Sequence, residues 1–527
     1  MLSRGEYSME FLTVENGAIC RNGTPFLLRG FGLGGWLLPE GYMWKLFTKC
    51  DRPRRMETLI QTLCGQEYAK EFWQKYYDTY ITRAEIEYIA KCGFNSVRLP
   101  LNTRHLCHDE NGSLVFTADT IRRVDDCIRW CRELGLYVVL DMHAAPGGQT
   151  GQNIDDSEND KPELFLHSEY TDTLTQLWVM LARRYRDEAA VAGYDLLNEP
   201  LPNWNAQYNH LVLPLYRRLM AAIRQVDDHH LMILEGVHWA TDFSIFDAMT
   251  PEEATENQVV LQFHKYWNNP DADSLTPFLE CAKRLNAPLY LGESGENNLN
   301  WYTTVFPLCE RLGIGWSFWA FKKMDNRNSP ITFAQPDGWD TLIKHLDGNG
   351  SPTQAEAQAL FDRFLACIVS PIYCDEVMRA LSRTSPVVIP AEAFDECDIH
   401  SAKESGAALR QSEPVTLLFA DGHTGTPDYR RYAGEPQPET ERVVVRLLAN
   451  DSVRYHFSAD HPSELRVICH GTGSGTASCG STEVFFSGAD SVLMDISNGK
   501  NQTLTIHCTD GQLLLDQLEL KDKEHRS

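Results

Sequence analysis

The chain has no run of about 18 apolar residues, so no segment is long enough to cross a bilayer as a helix. Its start, MLSRGEYSMEFLTVENG, lacks the apolar stretch of a secretory signal. That leads us to expect a cytoplasmic protein. Positive charge is scarce: Lys+Arg 48 against Asp+Glu 73 leaves −25, which argues against nucleic acid or membrane as a partner. The 15 cysteines show no CxxC pair and no metal-finger spacing. An odd, scattered set reads as reduced thiols. There is no HExxH and no clustered-carboxylate metal pattern, so neither a metal nor a cofactor is expected. Tryptophan is absent after Trp339, although the chain has 12.

What is present is a rhythm. At 527 residues, 43% hydrophobic and 23% charged, the chain is globular and too long for one ordinary core. Short apolar runs alternate with longer amphipathic segments over the first two thirds. The runs are FLLRGFGLGGWL (27–38), NSVRLPL (95–101), YVVLDMH (137–143), VAGYDLLNEP (191–200), LMILEG (231–236), VVLQFHKY (259–266), APLYLGESG (287–295) and GIGWSFWAFK (313–322). Between them, segments such as TADTIRRVDDCIRWCRELG repeat apolar residues three and four apart, as helices with one buried face do. Eight strands alternating with helices imply an α/β chain folded as a (β/α)8 TIM barrel. FLTVENGAICRNGTPF, ahead of them, reads as a hairpin closing the barrel's bottom.

After residue 386 the text turns to short strands divided by Gly, Asp, Asn and Ser, the pattern of an all-β sandwich. The expected domains are a barrel over 1–370, a linker over 371–385 and a sandwich over 386–527. The linker carries Ile372, Tyr373, Val377, Met378 and Leu381 at near-helical spacing, which suits a docked helix better than a flexible tether.

In such a barrel chemistry sits at the C-terminal ends of the strands. Read in order, those ends carry Arg98 and Asn102, then Asp141 and His143, Asn198-Glu199, Glu235 with Trp239 following, His264-Lys265-Tyr266, Glu293, and finally Trp316 and Trp319 with Lys322 and Lys323. Core packing does not explain strands that end this regularly in polar and aromatic residues. Glu199 and Glu293 form the kind of carboxylate pair that cleaves a glycosidic bond, one protonating the leaving oxygen and the other attacking carbon or activating water. Arg98 is placed to hold one of them ionised and Trp319 to floor a sugar ring.

The pieces SVRLP (96–100), LDMHAAPGGQTG (140–151), LLNEP (196–200), FHKY (263–266), LGES (291–294) and SFWAF (317–321) together resemble family 5 of the glycoside hydrolases. The resemblance implies that Glu199 is the acid/base and Glu293 the nucleophile of a retaining β-glycosidase. It implies that Asn198 bonds the sugar 2-hydroxyl, Arg98 supports Glu293 and His143 shapes the glycone site. His264 and Tyr266 would orient the carboxylates, and Trp319 would be the platform. DMHAAPGGQTGQNIDDSEN looks most like the exo-β-glucanase and β-glucosidase branch, which makes β-glucosides or short β-glucans the expected substrates. GESGENN and the double lysine of WAFKKMDN depart from that branch. A β-mannan or other β-linked oligosaccharide stays open as substrate, as does a catalytically silent sugar-binding barrel. Oligomeric state is not legible.

Other residues have plainer readings. Glu235 reads as a carboxylate behind the site. Lys322 and Lys323 are adjacent, so at most one points inward and the other is expected to be a solvated loop charge. His105, His108 and His238 read as ordinary polar residues. The C-terminal domain resembles a carbohydrate-binding module only at its two ends, VIPAEAFDE and QLLLDQLEL, and the resemblance implies an all-β jelly-roll sandwich. Its lack of Trp favours packing over sugar capture.

Overall fold

The computed structural model describes residues 9–487 and 491–523. The expected domain ends at 1 and 527 lie outside that range. Eight strands close a barrel in sequential order: β1 (Arg29–Gly32), β2 (Ser96–Asn102), β3 (Tyr137–Ala144), β4 (Val191–Asp195), β5 (Leu231–Glu235), β6 (Val259–His264), β7 (Leu289–Gly295) and β8 (Gly315–Trp319). β8 pairs parallel with β1, which closes the ring and leaves no edge.

The crossover helices follow from their apolar spacing. In α1 (Arg83–Lys91) a capping box, Thr82 with Glu85, sets the start. α2 (Ala118–Leu134) buries Ile121, Val124, Cys127, Ile128 and Cys131 on one face and stops at Gly135, whose φ of 74° a residue without Cβ adopts at no steric cost. α3 (Ser168–Tyr185), α4 (Val212–Ile223), α5 (Pro251–Glu256), α6 (Thr276–Leu285) and α7 (Leu299–Arg311) continue the alternation, and α8 (Gln354–Ile368) follows β8.

The barrel interior changes character from bottom to top. A hairpin, Leu12–Glu15 with Ala18–Arg21, places Leu12, Val14 and Ile19 in one cluster with Leu28, Tyr137, Val139, Leu231, Ile233 and Val260. Strand side chains repeat every two residues, so the same faces continue upward. Tyr137 and Val139 lead to Asp141 and His143. Leu231 and Ile233 lead to Glu235, and Val260 leads to Gln262 and His264. An apolar floor thus carries a polar ceiling.

By packing, the chain forms two compact units. One takes the chain up to Lys265 with Pro277–Ser294 and Gly313–Tyr373. The other takes Tyr266–Thr276, Gly295–Leu312 and the chain from Cys374 onward. The second unit contains two antiparallel sheets, one of Thr416–Phe419, Val443–Leu448, Gln512–Asp522, Ser463–Gly471 and Val492–Ile496 with Val387–Pro390 paired to Gln512–Asp522. The other is of Glu396–Asp398, Ser452–Ala459, Gly499–Asp510, Ser474–Cys479 and Thr482–Ser487. α7, by chain order the crossover from β7 to β8, packs in this second unit, which holds Trp301 on that helix and Trp267 in the segment Tyr266–Thr276.

The linker segment holds a helix, α9 (Asp375–Ser382), with Val377, Met378 and Leu381 buried. Ile372 and Tyr373 are not part of it. They form a short strand beside Ile331–Phe333 and are 55% and 44% exposed. All fifteen cysteines are free thiols. No helix among the described residues is long and apolar enough to cross a membrane.

Candidate active site

Arg98, on β2, is fully buried at the centre of the ceiling. Its Nη1 reaches Oε1 of Glu293 at 2.6 Å, and its Nε reaches Oδ2 of Asp195 at 2.9 Å. Its Nη2 donates to Oδ1 of Asn198 at 2.7 Å and to Oε1 of Glu235 at 3.0 Å. Asp141 lies 3.2 Å from Nη1. A planar fork with five donors suits this role and an ammonium would not. One guanidinium therefore ties together the ends of four other strands.

Four carboxylates around one guanidinium leave excess negative charge in a dry interior, which favours protons somewhere in the cluster. Burial pushes the Asp195 carboxyl well above the ordinary range, with Glu235 adding to the effect and Arg98 opposing it. Burial also raises Glu199, against the hydrogen bond it makes with His264. For Glu235 burial is outweighed by His264 and Arg98, and its carboxyl sits low. For His264 burial opposes the charge, but Glu235, Glu293 and the bond to Glu199 hold the imidazole protonated well above its ordinary value.

Glu199 follows the end of β4 with φ at +43°, in the left-handed region that a residue with Cβ enters at a cost of about 1–3 kcal/mol. Three hydrogen bonds hold that segment. The Glu199 N–H donates to Oε2 of Glu235 at 2.7 Å, the Asn198 N–H donates to the Met142 carbonyl, and Gln149 Nε2 donates to the Asn198 carbonyl at 2.9 Å. Gln149 comes from the loop after β3. It also donates to the His143 carbonyl, and Asp155 braces the loop by accepting from Thr150 and Gly151.

His264 Nδ1 meets Oε1 of Glu199 at 2.7 Å and lies 3.6 Å from Oε2 of Glu293. One ligand-type atom each from Glu199, His264 and Glu293 lies within 4.8 Å of the others. Both imidazole nitrogens face carboxylates, since Nε2 is 3.5 Å from Glu235. That is the arrangement of a proton donor, whereas a metal-bound nitrogen has to give its proton up.

His143 is held by Asp141, Nδ1 to Oδ2 at 2.7 Å, so its Nε2 is the acceptor facing Asn198 Nδ2 at 3.4 Å. Its ring stacks on Trp319, 5.2 Å between centroids and 7° from parallel. The Trp319 indole donates to the Tyr42 hydroxyl at 3.0 Å. It fits because Gly32 and Gly34 lie beneath it: a Cβ on Gly32 would stand 2.5 Å from Trp319 Cε3.

Seven of the eight residues singled out in the sequence meet here: Arg98, His143, Asn198, Glu199, His264, Glu293 and Trp319. Tyr266 groups instead with the second unit, where its ring lies 5.3 Å from Trp267 and its carbonyl accepts from Asn297. One expectation is corrected: neither Lys322 nor Lys323 is a solvated loop charge, since both are buried. The Lys322 ammonium donates to Glu85 Oε1 at 2.9 Å and to the Tyr80 carbonyl, turned away from the ceiling cluster, and Lys323 lies over the Tyr42 ring. Sequence reasoning did not select Asp195, Gln262, Gln149 or Tyr42. Gln262 was reachable, because it sits two residues before His264 and so shares its face.

Among proteins of known activity, a β-xylosidase of Phanerodontia chrysosporium is 34% identical over 239 residues, covering 45% of this chain and 48% of that protein. Endoglucanase C of Acetivibrio thermocellus is 26% identical over 311 residues, covering 48% of this chain and 88% of that protein. The chain thus spans about half the length of the first and most of the second. Among solved structures, an endogalactoceramidase aligns over 96% of this chain and all of its own at 17% identity, with a TM-score of 0.47, a likeness too weak to argue from. The model of the cellulase family, glycosyl hydrolase family 5, matches residues 58–325, just over half of the 527 residues, and the chain belongs to that family.

Proposed function

We propose that the chain is a retaining β-glycosidase that hydrolyses β-glucosides or short β-glucans, with Glu199 as acid/base and Glu293 as nucleophile. The observation that carries this reading is the pair itself: Glu199 and Glu293 bring carboxylate oxygens within 4.8 Å of each other. Double displacement needs its carboxyl groups about 5–5.5 Å apart, whereas inversion needs about 6.5–9.5 Å to seat a water. The environments support the division of labour. Burial keeps the Glu199 proton on, as an acid requires. Arg98, at 2.6 Å, favours the charged form of Glu293, as a nucleophile requires.

In the first step Glu293 attacks the anomeric carbon while Glu199 gives its proton to the leaving oxygen. In the second, Glu199 as carboxylate takes a proton from water, which displaces Glu293. Asn198, its Oδ1 fixed by Arg98, turns its amide toward the 2-hydroxyl. Trp319, stacked on His143, floors the ring.

Names among the relatives keep a second substrate reading alive. One is a β-xylosidase and another an endoglucanase, so a different β-linked sugar on the same chemistry remains the alternative. The free cysteines support work in a reducing compartment. Product analysis on defined glucose, mannose and xylose oligosaccharides, with the anomeric configuration followed by NMR, tests the proposal. Release of the β-anomer first, and loss of turnover in Glu293→Ala with partial rescue by azide, are expected. First release of the α-anomer defeats the mechanism, and cleavage of mannose or xylose oligosaccharides alone defeats the glucoside reading.

A further inference from the structure

A cavity of about 330 Å³ lies in the unit that holds the barrel strands, and none of the ceiling cluster's residues lines it. Its size is that of a small-molecule site, which runs from about 300 to 1,000 Å³. Three elements wall it. The helix Gln66–Thr79 presents Lys70, Trp73, Gln74 and Tyr77, spaced three and four apart and so on one face. The turn Thr103–Leu106, directly after β2, adds Arg104 and His105. The start of α2 adds Thr117, Thr120 and Arg123, and with them the positive end of that helix's dipole.

The chain carries 73 acidic residues against 48 Lys and Arg, yet among the described residues no carboxylate lines this cavity, while three cations and a histidine do. Two of the cations are fixed. Arg104 reaches both oxygens of Glu57, at 2.8 and 2.9 Å, and Asp156 at 2.6 Å. Arg123 is 5% exposed, and its Nε donates to Asp78 Oδ1 at 3.0 Å. These carboxylates balance the guanidiniums from outside the cavity wall. Lys70 is exposed and has no ion-pair partner among the described residues. Two donors lack an acceptor. Arg123 Nη2 lies 2.8 Å from the same Asp78 oxygen without the geometry of a hydrogen bond, and the buried indole N–H of Trp73 meets no acceptor.

What suits such a wall follows from these groups. A buried N–H without an acceptor costs free energy, and ionised oxygens are the acceptors that cations and N–H groups bind most strongly. The ring faces are engaged by protein. Trp73 stacks on Tyr77 with centroids 5.6 Å apart and on Trp44 at 5.7 Å, and the Arg123 guanidinium lies over the Tyr77 ring at 5.5 Å. We propose that the cavity binds a small organic oxyanion, a carboxylate or phosphate carried on an apolar body that meets Leu37 and the ring edges. This site shares no residue with the glycosidic chemistry, and the proposal does not rest on the retaining reading.

Calorimetric titration of the full chain with benzoate and, separately, phenyl phosphate tests this, with benzyl alcohol as the uncharged control. At least one of the two anions should bind saturably, and more weakly as salt rises, whereas benzyl alcohol should not bind. Benzoate alone names a carboxylate as the group held, phenyl phosphate alone a phosphate, and both the shared oxyanion. Lys70→Glu reverses a charge at an exposed position and should weaken the anion about tenfold or more. Trp73→Phe keeps a ring but removes the N–H, and about a tenfold loss is expected there too. Lys75→Glu makes the same charge change on the same helix outside the cavity and should bind as the wild type does. Thermal melting of each variant without ligand reports that it is folded. If neither anion saturates by about 10 mM, or if benzyl alcohol binds equally well, the proposal is overturned. Unchanged affinity in both Lys70→Glu and Trp73→Phe, or an equal loss in Lys75→Glu, overturns it too, because the anion then binds elsewhere.

Discussion

The Glu199 backbone N–H donates to Oε2 of Glu235 at 2.7 Å, and the other oxygen of that carboxylate accepts from Arg98 at 3.0 Å. Glu235 thus bonds both to the strained peptide of the proposed acid and to the cation beside the proposed nucleophile. It is fully buried, so removing it leaves a backbone N–H and a guanidinium N–H short of an acceptor where no bulk water reaches. We expect Glu235→Ala to lower kcat/KM by about a hundredfold or more, in line with a loss of about 3 kcal/mol. Glu235→Gln keeps an acceptor but loses the charge facing His264. Its expected signature is a rate profile displaced along pH rather than a mere loss of rate. A Glu235→Ala enzyme with wild-type kinetics would show that the contact does not position the acid.

The pH dependence of rate follows from Glu199. Burial raises its carboxyl, so the protonated acid survives above the ordinary carboxylate range and the basic limb of kcat/KM lies there too. With an activated leaving group that needs no proton, Glu199→Gln should lose that limb. A limb that persists assigns it to another group. Stability carries a second signature. Against the effect of burial, Glu235, Glu293 and the Glu199 hydrogen bond raise the His264 pKa in the folded chain. The stability its proton brings is therefore full below about pH 6.5, the unfolded value, and is lost as pH rises through the raised folded value. Denaturant melts of wild type and His264→Gln across pH should converge on the alkaline side. Parallel curves would deny the linkage.

A methyl group at Gly32 would press on the Trp319 indole, at 2.5 Å from Cε3 and 3.0 Å from Cζ3. The ring is only 4% exposed and stacked on His143, so it has little room to retreat. Gly32→Ala should cost about 1–3 kcal/mol of stability, as overpacking does. It should also raise KM, because the sugar floor tilts with the ring. Calorimetry and initial rates check both, and an unchanged KM with unchanged stability would mean that the indole moves freely.

Removal of residues 386 to 527 should weaken what is left. α7 connects β7 to β8 in the chain, yet its partners lie downstream. Arg383 Nε donates to the Thr303 carbonyl at 2.6 Å, Arg311 pairs with Asp395, and Asn298 Nδ2 donates to the Glu435 carbonyl at 3.1 Å. Trp301, Tyr302, Val305, Phe306 and Leu308 are all buried on this helix. Truncation strips Asp395, Glu435 and the strand Val387–Pro390 from its surroundings, and exposed apolar surface of that kind promotes aggregation. We expect an insoluble product, or one melting at least about 5 °C lower, equivalent to one or two kcal/mol. A truncated barrel of equal stability that loses only polymer binding would make the C-terminal domain a binding module.

Much was legible before any coordinates. The two-residue period of YVVLDMH, LMILEG and VVLQFHKY, each apolar first and ionisable last, dictates strands with a dry floor and a polar ceiling. That pattern located Arg98, His143, Asn198, Glu199, His264, Glu293 and Trp319 one by one, since strand alternation and the order of strands in a barrel are local and serial properties.

Other features depended on three dimensions. No pattern says that Glu235 accepts from the Glu199 peptide, because that contact depends on how far two neighbouring strands extend past each other. The fates of Lys322 and Lys323 were set by what surrounds them. An ammonium stays buried only where a carboxylate and a carbonyl meet it, and Glu85 and Tyr80 come from far earlier in the chain. The placement of α7 in the second unit likewise follows from partners 80 or more residues downstream. The sequence alone determined the eight strands, their order and the residues at their ends, because those follow from periodicity and connectivity. Only the tertiary structure decided which buried charges meet, which glycines lie under a ring and where a helix finds its partners, because those depend on distances between residues that the chain brings together only by folding.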